Sequence, residues 1–438
     1  MKHFRRFVFL IGFILPLLMA VSLIPTSSAF SVLSDEVIIT NLIDQARQTG
    51  QEVQLENRIY ILNSPVYVAY NLAKHGGSLR IRGYENTVLD ITRLNGLAIL
   101  FYGTPTATET FPLGNIYEGN ESISVADVSG FVAGDWVRVS SSKRIGSNTA
   151  GEIRRISSIT GNTITLQGGM DDTYLLTDST KIVQIIVVTN LTIGNLTIRG
   201  NPSNAETIGL RVDYGSGIKV ENVRVENTPT AALQFGSVVG GTVRYNAISG
   251  ANRVGYGYAA VVYGASRNFK YYNNQVSNST KALTVGGGPA VGITRYTRAY
   301  DNIAANMWHG FETHGEAEHT IFSRNQVNRS FGHSYNASDD DVTFWNNTAT
   351  EADNNGVSSD ATISVGGPIV RKVTISNNYL QWNKDSISPQ SWGIRVHPDA
   401  VNIQSIRITG NTIVGYEVPI YTWIMTEDTR IENNIILP

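Results

Sequence analysis

Four of the chain's seven histidines, His309, His314, His319 and His333, fall within 25 residues of one another. Around the first two the sequence reads Trp308-His309-Gly310-Phe311-Glu312-Thr313-His314-Gly315, and the acidic run Asp339-Asp340-Asp341 follows. An imidazole titrates near neutral pH, and a carboxylate beside it orients and tunes it, so this stretch carries the parts of a general acid–base centre. His75 and His397 stand apart, and His3 lies in an apolar N-terminal segment.

Strand parity arranges these groups. With Phe311 and Thr313 turned inward, Glu312 and His314 project together, about 7 Å apart along a strand. Two chemistries are open to such a face. Removing a carbon-bound proton next to a carboxylate needs a base such as His309, His314, His333 or the phenol of Tyr335. It also needs a cation, from Lys, Arg or Ca²⁺, to stabilise the charge that develops. Hydrolysis by a pair of carboxyl groups, one of them protonated, needs two carboxylates across the scissile bond, which Glu312 with Asp339, Asp340 or Asp341 could supply. The three aspartates are the candidate ligands for Ca²⁺, although without a spaced ligand loop they read more readily as a solvated turn. The pattern calls for no other metal or cofactor.

The elements that must position these residues are legible as a repeat. From Asn190 onward, alternating apolar residues lead into an Asn ten times, for example Val243-Arg244-Tyr245-Asn246, Phe269-Lys270-Tyr271-Tyr272-Asn273-Asn274 and Ile406-Arg407-Ile408-Thr409-Gly410-Asn411. The marker positions 195, 222, 246, 274, 302, 325, 347, 378, 411 and 434 lie 22 to 33 residues apart. A local period of two inside a repeat of that length predicts coils of about three short strands each, a parallel β-helix. Asn suits its corners because it tolerates the left-handed conformation and because its amide can bond to the Asn one rung away. The same reading makes the Asn-x-Ser/Thr sites, such as Asn190-Leu191-Thr192, turn chemistry rather than glycan acceptors.

Counting from the marker Asn aligns neighbouring coils. Lys281 and His309 each lie seven residues after a marker, and Glu312 and Tyr335 each lie ten after one. The expectation is that Lys281 stacks on His309, and Glu312 on Tyr335, one rung apart. Tyr256, Tyr258, Tyr263, Tyr271, Tyr272 and Tyr296 precede the histidines, where flat amphipathic rings either stack on sugars or fill the core. Tyr256, Tyr258 and Tyr296, with Trp308 and Lys281, are the expected substrate contacts. Gly286-Gly287-Gly288-Pro289 has no strand-to-helix unit around it and reads as a tight turn rather than a dinucleotide loop.

Before the repeats, residues 34–50 predict an amphipathic helix with Ser34 as N-cap, an apolar set at Val37, Ile38, Leu42 and Ile43, and Gly50 as the stop. It would cover the open end of the first coil, as a solenoid requires. Strand-like runs follow at Val53 to Leu62, Val66 to Tyr70, Leu79 to Arg82 and Thr87 to Ile91. Residues 30–114 thus form a cap with the first coils, 115–180 a small β insertion, and 181–438 the main helix.

Composition agrees. The 438 residues hold 41 Gly and 38 Asn with only 16% charged residues, which disfavours helix bundles. With no Cys, disulfide frameworks, zinc ribbons and thiol catalysis are excluded. The 34 basic residues against 36 acidic ones leave no electrostatic footprint for nucleic acid. Lys2, Arg5 and Arg6, the apolar run Phe7 to Ile24 and the small residues Ser27-Ser28-Ala29 predict a secretory signal over 1–29, hence a secreted or cell-surface protein with no membrane contact after cleavage. The oligomeric state is left open.

The helix, the Gly-rich early strands, the insertion with Gly134-Asp135-Trp136 and Thr160-Gly161-Asn162-Thr163, and the Asn-punctuated coils together resemble the pectin-lyase-like superfamily of right-handed β-helices. The branch of secreted and phage tail-spike polysaccharide-degrading proteins is the most similar, and its Phe-(Asp/Glu)-Thr-His run resembles residues 311–314. The resemblance implies the fold over residues 34–438 and a polysaccharide partner. For activity it implies a range, because the superfamily includes lyases, hydrolases, epimerases and non-catalytic adhesins. The polygalacturonase pattern is not matched: a downstream Arg-x-Lys partner and the full set of paired Asp motifs are missing. On these grounds the expected activity is β-elimination at a uronic residue, with hydrolysis or glycan binding alone as the alternatives.

Overall fold

The computed structural model describes residues 33–438 except 71–77, 289, 353–360, 368, 369, 384–390 and 401. The expected signal segment and His75 therefore lie outside the described residues. Among the described residues, no helix is long and apolar enough to cross a membrane.

Short strands repeat along the chain and pair in parallel with the equivalent strand of the next coil. One parallel sheet runs the length of the molecule through Val66–Ala69, Leu97–Tyr102, Ile208–Ser216, Ala231–Val239, Tyr258–Tyr263, Lys281–Val285, His309–Thr313, Tyr335–Ala337, Ile363–Val365, Trp392–Val396 and Val418–Thr422. We call it the front sheet. The remaining coil strands form the other walls as a second, larger sheet. The fold is an all-β, right-handed parallel β-helix. Its interior is a continuous file of apolar side chains in which aromatic residues stack between rungs, as Phe311 does on Tyr335 (5.9 Å between ring centres) and Phe322 on Phe344 (5.4 Å).

From Asn246 to Asn434 the Asn ladder is continuous. Each Asn Nδ2 donates to the Oδ1 of the Asn one coil on, at 2.8–3.1 Å through Asn246, Asn274, Asn302, Asn325, Asn347, Asn378, Asn411 and Asn434. The same Nδ2 also reaches a backbone carbonyl, so these buried amides are satisfied at a corner where strand pairing stops. The left-handed conformation falls on the residue before the ladder Asn, namely Tyr245, Asn273, Asp301, Arg324, Asn346, Asn377, Gly410 and Asn433. The two properties expected of one Asn are thus divided between neighbours, which explains the recurrent Asn-Asn pairs. The first two markers differ: Asn195 and Asn222 are themselves left-handed and exposed, outside the ladder.

The N-terminal helix spans Asp35–Thr49 and ends on Gly50 at φ +72°. It buries Ile39, Ile43 and Ala46 on the first coil, with Leu42 partly buried beside them. Val37 is exposed, so the apolar stripe lies further round the helix than expected. Asp35 in its first turn accepts a hydrogen bond from the Ile61 backbone N–H and pairs with Arg58, tying the cap to the coil.

The insertion is a six-stranded antiparallel sheet in the order Thr104–Thr110, Lys181–Ile186, Trp136–Ile145, Asn148–Thr160, Thr163–Leu166, Ser122–Ser124, with its own core around Val137, Val139, Ile156, Ile164 and Ile182. It is wider than 115–180, because its two closing strands carry no turn signature of their own. The hairpin between Ile145 and Asn148 bends back to the solenoid, where Ser147 donates to Glu316 through both N–H and Oγ.

Candidate functional site

Lys281, Thr284, His309, Glu312 and His314 converge on the front sheet because parallel pairing sets their strands in register. Lys281 is opposite His309 and Thr284 opposite Glu312. Two glycines permit the close approach. A Cβ at Gly310 would lie 2.1 Å from the Ser334 carbonyl oxygen, and one at Gly332 would lie 2.8 Å from the His309 ring.

Glu312 is the centre. It is 3% exposed. Its carboxylate meets Lys281 Nζ at 2.8 Å, accepts from Thr284 Oγ1 at 2.8 Å, and lies 3.0 Å from His314 Nε2 and 3.3 Å from His333 Nε2. Burial alone would push this carboxyl up, but the hydrogen bonds from His314 and His333 and the Lys281 charge outweigh it and hold it well below the usual carboxylate range. The ionised carboxylate fixes both imidazoles with Nε2–H toward it. The Nδ1 lone pair of His314, whose side chain is 41% exposed, is then left as a basic atom at the surface.

His309 stacks on His333 with ring centres 3.9 Å apart, and Trp308 meets its edge at 6.3 Å. Burial, then the neighbouring His333, draws the His309 imidazole down to about 3, so it is neutral at physiological pH. Its Nδ1 is buried without a hydrogen-bond partner. Half-exposed Trp308 and Tyr256 flank the site, and the Lys281 ammonium lies 5.0 Å from the centre of the Tyr258 ring. Lys281 is itself buried and committed to Glu312.

Ligand atoms of His309, Glu312 and His333 lie within 4.8 Å of one another, the residue types of a metal site. The surroundings oppose a cation there. Lys281 already occupies the carboxylate, and His333 Nε2 is engaged by it as well.

Two expected members sit elsewhere. Tyr335 pairs with Phe311, not with Glu312, and that single-residue offset turns it into the core, where it is 0% exposed and its hydroxyl donates to the Asn325 and Thr348 carbonyls. Burial holds its phenol well above its ordinary value, so it is no proton-transfer group. Asn336 takes the place opposite Glu312. Tyr296 lies at the bend after the second-sheet strand Thr294–Arg295, stacked on His319 and hydrogen-bonded to Asp171 of the insertion. There Arg295 bridges Asp172 and Glu318, and Arg371 bridges Glu318 and Asp340. Asp341 turns to His319 at 2.5 Å, whereas Asp339 is buried and held well above its ordinary value by burial, so the aspartate run does not converge as one set of ligands. Thr284 had no mark in the sequence, since a lone Thr in an apolar run looks like any strand residue.

No family model matches the chain, and no curated protein is found to be similar to it. Its fold is shared with solved β-helix proteins. The tailspike Gp54 of Acinetobacter baumannii bacteriophage AP22, solved in complex with a capsular saccharide of that bacterium, is 16% identical with a TM-score of 0.63, over 91% of this chain and 71% of that one. The tailspike gp49 of Pseudomonas phage LKA1 is 15% identical with a TM-score of 0.64, over 91% and 73%. The A-module of the Azotobacter vinelandii mannuronan C-5 epimerase AlgE6 is 13% identical with a TM-score of 0.54, over 93% and 96%.

Proposed function

We propose that the protein acts on an extracellular polysaccharide by removing the proton next to the carboxylate of a uronic residue, with β-elimination of the glycosidic bond as the outcome. The observation that carries this reading is the single ionised Glu312 bonded to both His314 and His333 and paired with Lys281. Such a carboxylate orients bases; it does not donate a proton. His314 is the base, its Nε2–H held by Glu312 and its Nδ1 turned to substrate. Removal of the C5 proton places charge on the substrate carboxylate, while Lys281 acts through Glu312, keeping its carboxylate ionised and His314 in place. The electron pair forms the C4–C5 double bond as the C4–O bond breaks, and the departing oxygen takes its proton from solvent water. Hydrolysis is less well served, because it needs one carboxyl protonated, whereas Glu312 is held ionised among His314, His333 and Lys281.

A second reading, C5 epimerisation, is favoured by the same pair of imidazoles, since one could remove the proton and the other return it. The fold likeness to a mannuronan C-5 epimerase module is compatible with it. An extracellular setting suits either substrate. Incubation with a panel of uronic polysaccharides tests both. Elimination yields an unsaturated product absorbing in the ultraviolet, and epimerisation yields altered C5 stereochemistry without chain cleavage. Reducing ends with neither signal would establish hydrolysis, and glycan binding with no product would establish an adhesin.

A further inference from the structure

The wall that follows the front sheet around the next corner carries a line of unpaired cations. In this part of the second sheet Thr192, Lys219, Thr242, Lys270 and Arg298 stand opposite one another on successive rungs. Each points outward, because the next residue of its strand, Ile193, Val220, Val243, Tyr271 or Ala299, is buried in the core. Lys219, Lys270 and Arg298 are exposed. Among the described residues, none of these three side chains has an ion pair, a hydrogen bond or a ring contact.

The carboxylates beside the row explain why it stays unpaired. Glu221, two residues beyond Lys219 on the same face, is taken by Arg244 at 2.7 Å and by Arg82 at 3.7 Å. Asp301 is taken by Arg324 through two hydrogen bonds, at 2.7 and 2.8 Å. Alongside, Tyr272 stacks on Tyr300 with ring centres 4.8 Å apart, and Arg244 donates to the Tyr272 hydroxyl. The neighbouring file of side chains thus satisfies itself, acids included, and leaves the cations of the row to solvent. On the next rung Ile321 ends the row.

In a chain whose 34 basic and 36 acidic residues nearly balance, such a line is a local excess of positive charge. Thr192 to Arg298 spans about 19 Å, and one rung is close to the advance of one pyranose unit in an extended chain. The threonine hydroxyls between the cations are suited to sugar oxygens. The row itself lacks the apolar side chains that a segment lying in a lipid surface inserts.

We propose that Lys219, Lys270 and Arg298, with Thr242 between them, bind the carboxylates of an acidic polysaccharide along about four of its residues, as an anchoring track separate from the site at Glu312. From the Arg298 strand the chain runs through Ile303–Met307 to His309–Thr313, so the track ends in the coil that leads into the site. A polymer held there raises the local concentration of its own further residues at His314. The choice of a uronic polymer rests on the reading above; the unpaired row does not.

The test is calorimetric binding of the full chain to oligogalacturonates of about twelve residues, with turnover read on chains of about three. In a variant combining Lys219→Ala, Lys270→Ala and Arg298→Ala, the long chains should bind about tenfold more weakly, and the difference should shrink as salt rises. Carboxyl-reduced long chains should bind wild type and variant alike, and turnover of the short chains should be that of wild type. Unchanged affinity for long chains, or a dependence on the three cations that persists after carboxyl reduction, would overturn the track. So would an equal dependence for a single-stranded oligonucleotide or for phosphatidylserine vesicles, the mark of a general anion patch. Should the combined variant not fold, Lys270→Glu alone decides, with a loss in the same direction expected. Row-dependent binding without any product would refute the elimination reading and keep the track, whereas product without row-dependent binding would do the reverse.

Discussion

The Nζ of Lys281 lies 2.8 Å from Oε1 of Glu312, an ion pair that joins two neighbouring coils across the front sheet and is almost wholly buried. It holds the Glu312 carboxylate charged while His314 and His333 bond to it from other directions. Lys281 thus acts on any reaction through Glu312, as a positioning residue.

Breaking this pair from one side should be costly. Lys281→Met leaves a buried carboxylate uncompensated, and a loss of about 3 kcal/mol of stability is expected. Lys281→Met combined with Glu312→Gln should lose less than the sum of the single changes, since the orphaned charge is gone. Urea unfolding of the four proteins checks this, and strict additivity would show that the pair is not coupled.

His314→Ala removes a half-exposed side chain whose main contact is Glu312. Its melting temperature should stay near that of wild type, while turnover on the responsive polysaccharide falls by about 10²- to 10⁴-fold. Wild-type turnover in the folded variant would remove His314 from the reaction.

Stability should fall on acidification. The His309 imidazole titrates near 3 when folded and near its ordinary value when unfolded, so between these limits the unfolded chain binds more protons and stability declines as pH drops. Glu312 is depressed likewise, and its contribution is lost as pH falls below the usual carboxylate range. Both act in the same direction. Melting curves from pH 7 to about pH 4 should show this decline, and His309→Phe should flatten its upper part.

The ladder makes a contrast between asparagines. Asn325→Ala deletes an amide that bonds to Asn347 and Ala299 and accepts from Asn302, and it should cost about 2–3 kcal/mol. Asn195→Gly keeps a left-handed position outside the ladder and should cost well under about 1 kcal/mol. Equal losses in thermal denaturation would show that the ladder bonds add nothing.

The solenoid could be read from the sequence because its determinants are local and repeated. Alternation within each strand set which residues face inward, and the recurring Asn set the coil length. The same alternation placed Glu312 and His314 on one outward face, and the equal spacing from Asn274 and Asn302 placed Lys281 opposite His309. What only the tertiary structure decided was alignment across turns of unequal length. The chain between Asn325 and Tyr335 bends at Phe331-Gly332, where Gly332 yields to the His309 ring, and the count from Asn325 runs one residue long. Because side chains alternate, that one residue moves Tyr335 from the surface to the core and puts Asn336 in its place. The convergence of Thr284 and His333 on one carboxylate and the latch between Ser147 and Glu316 likewise depend on contacts between residues distant in sequence, which no local period encodes.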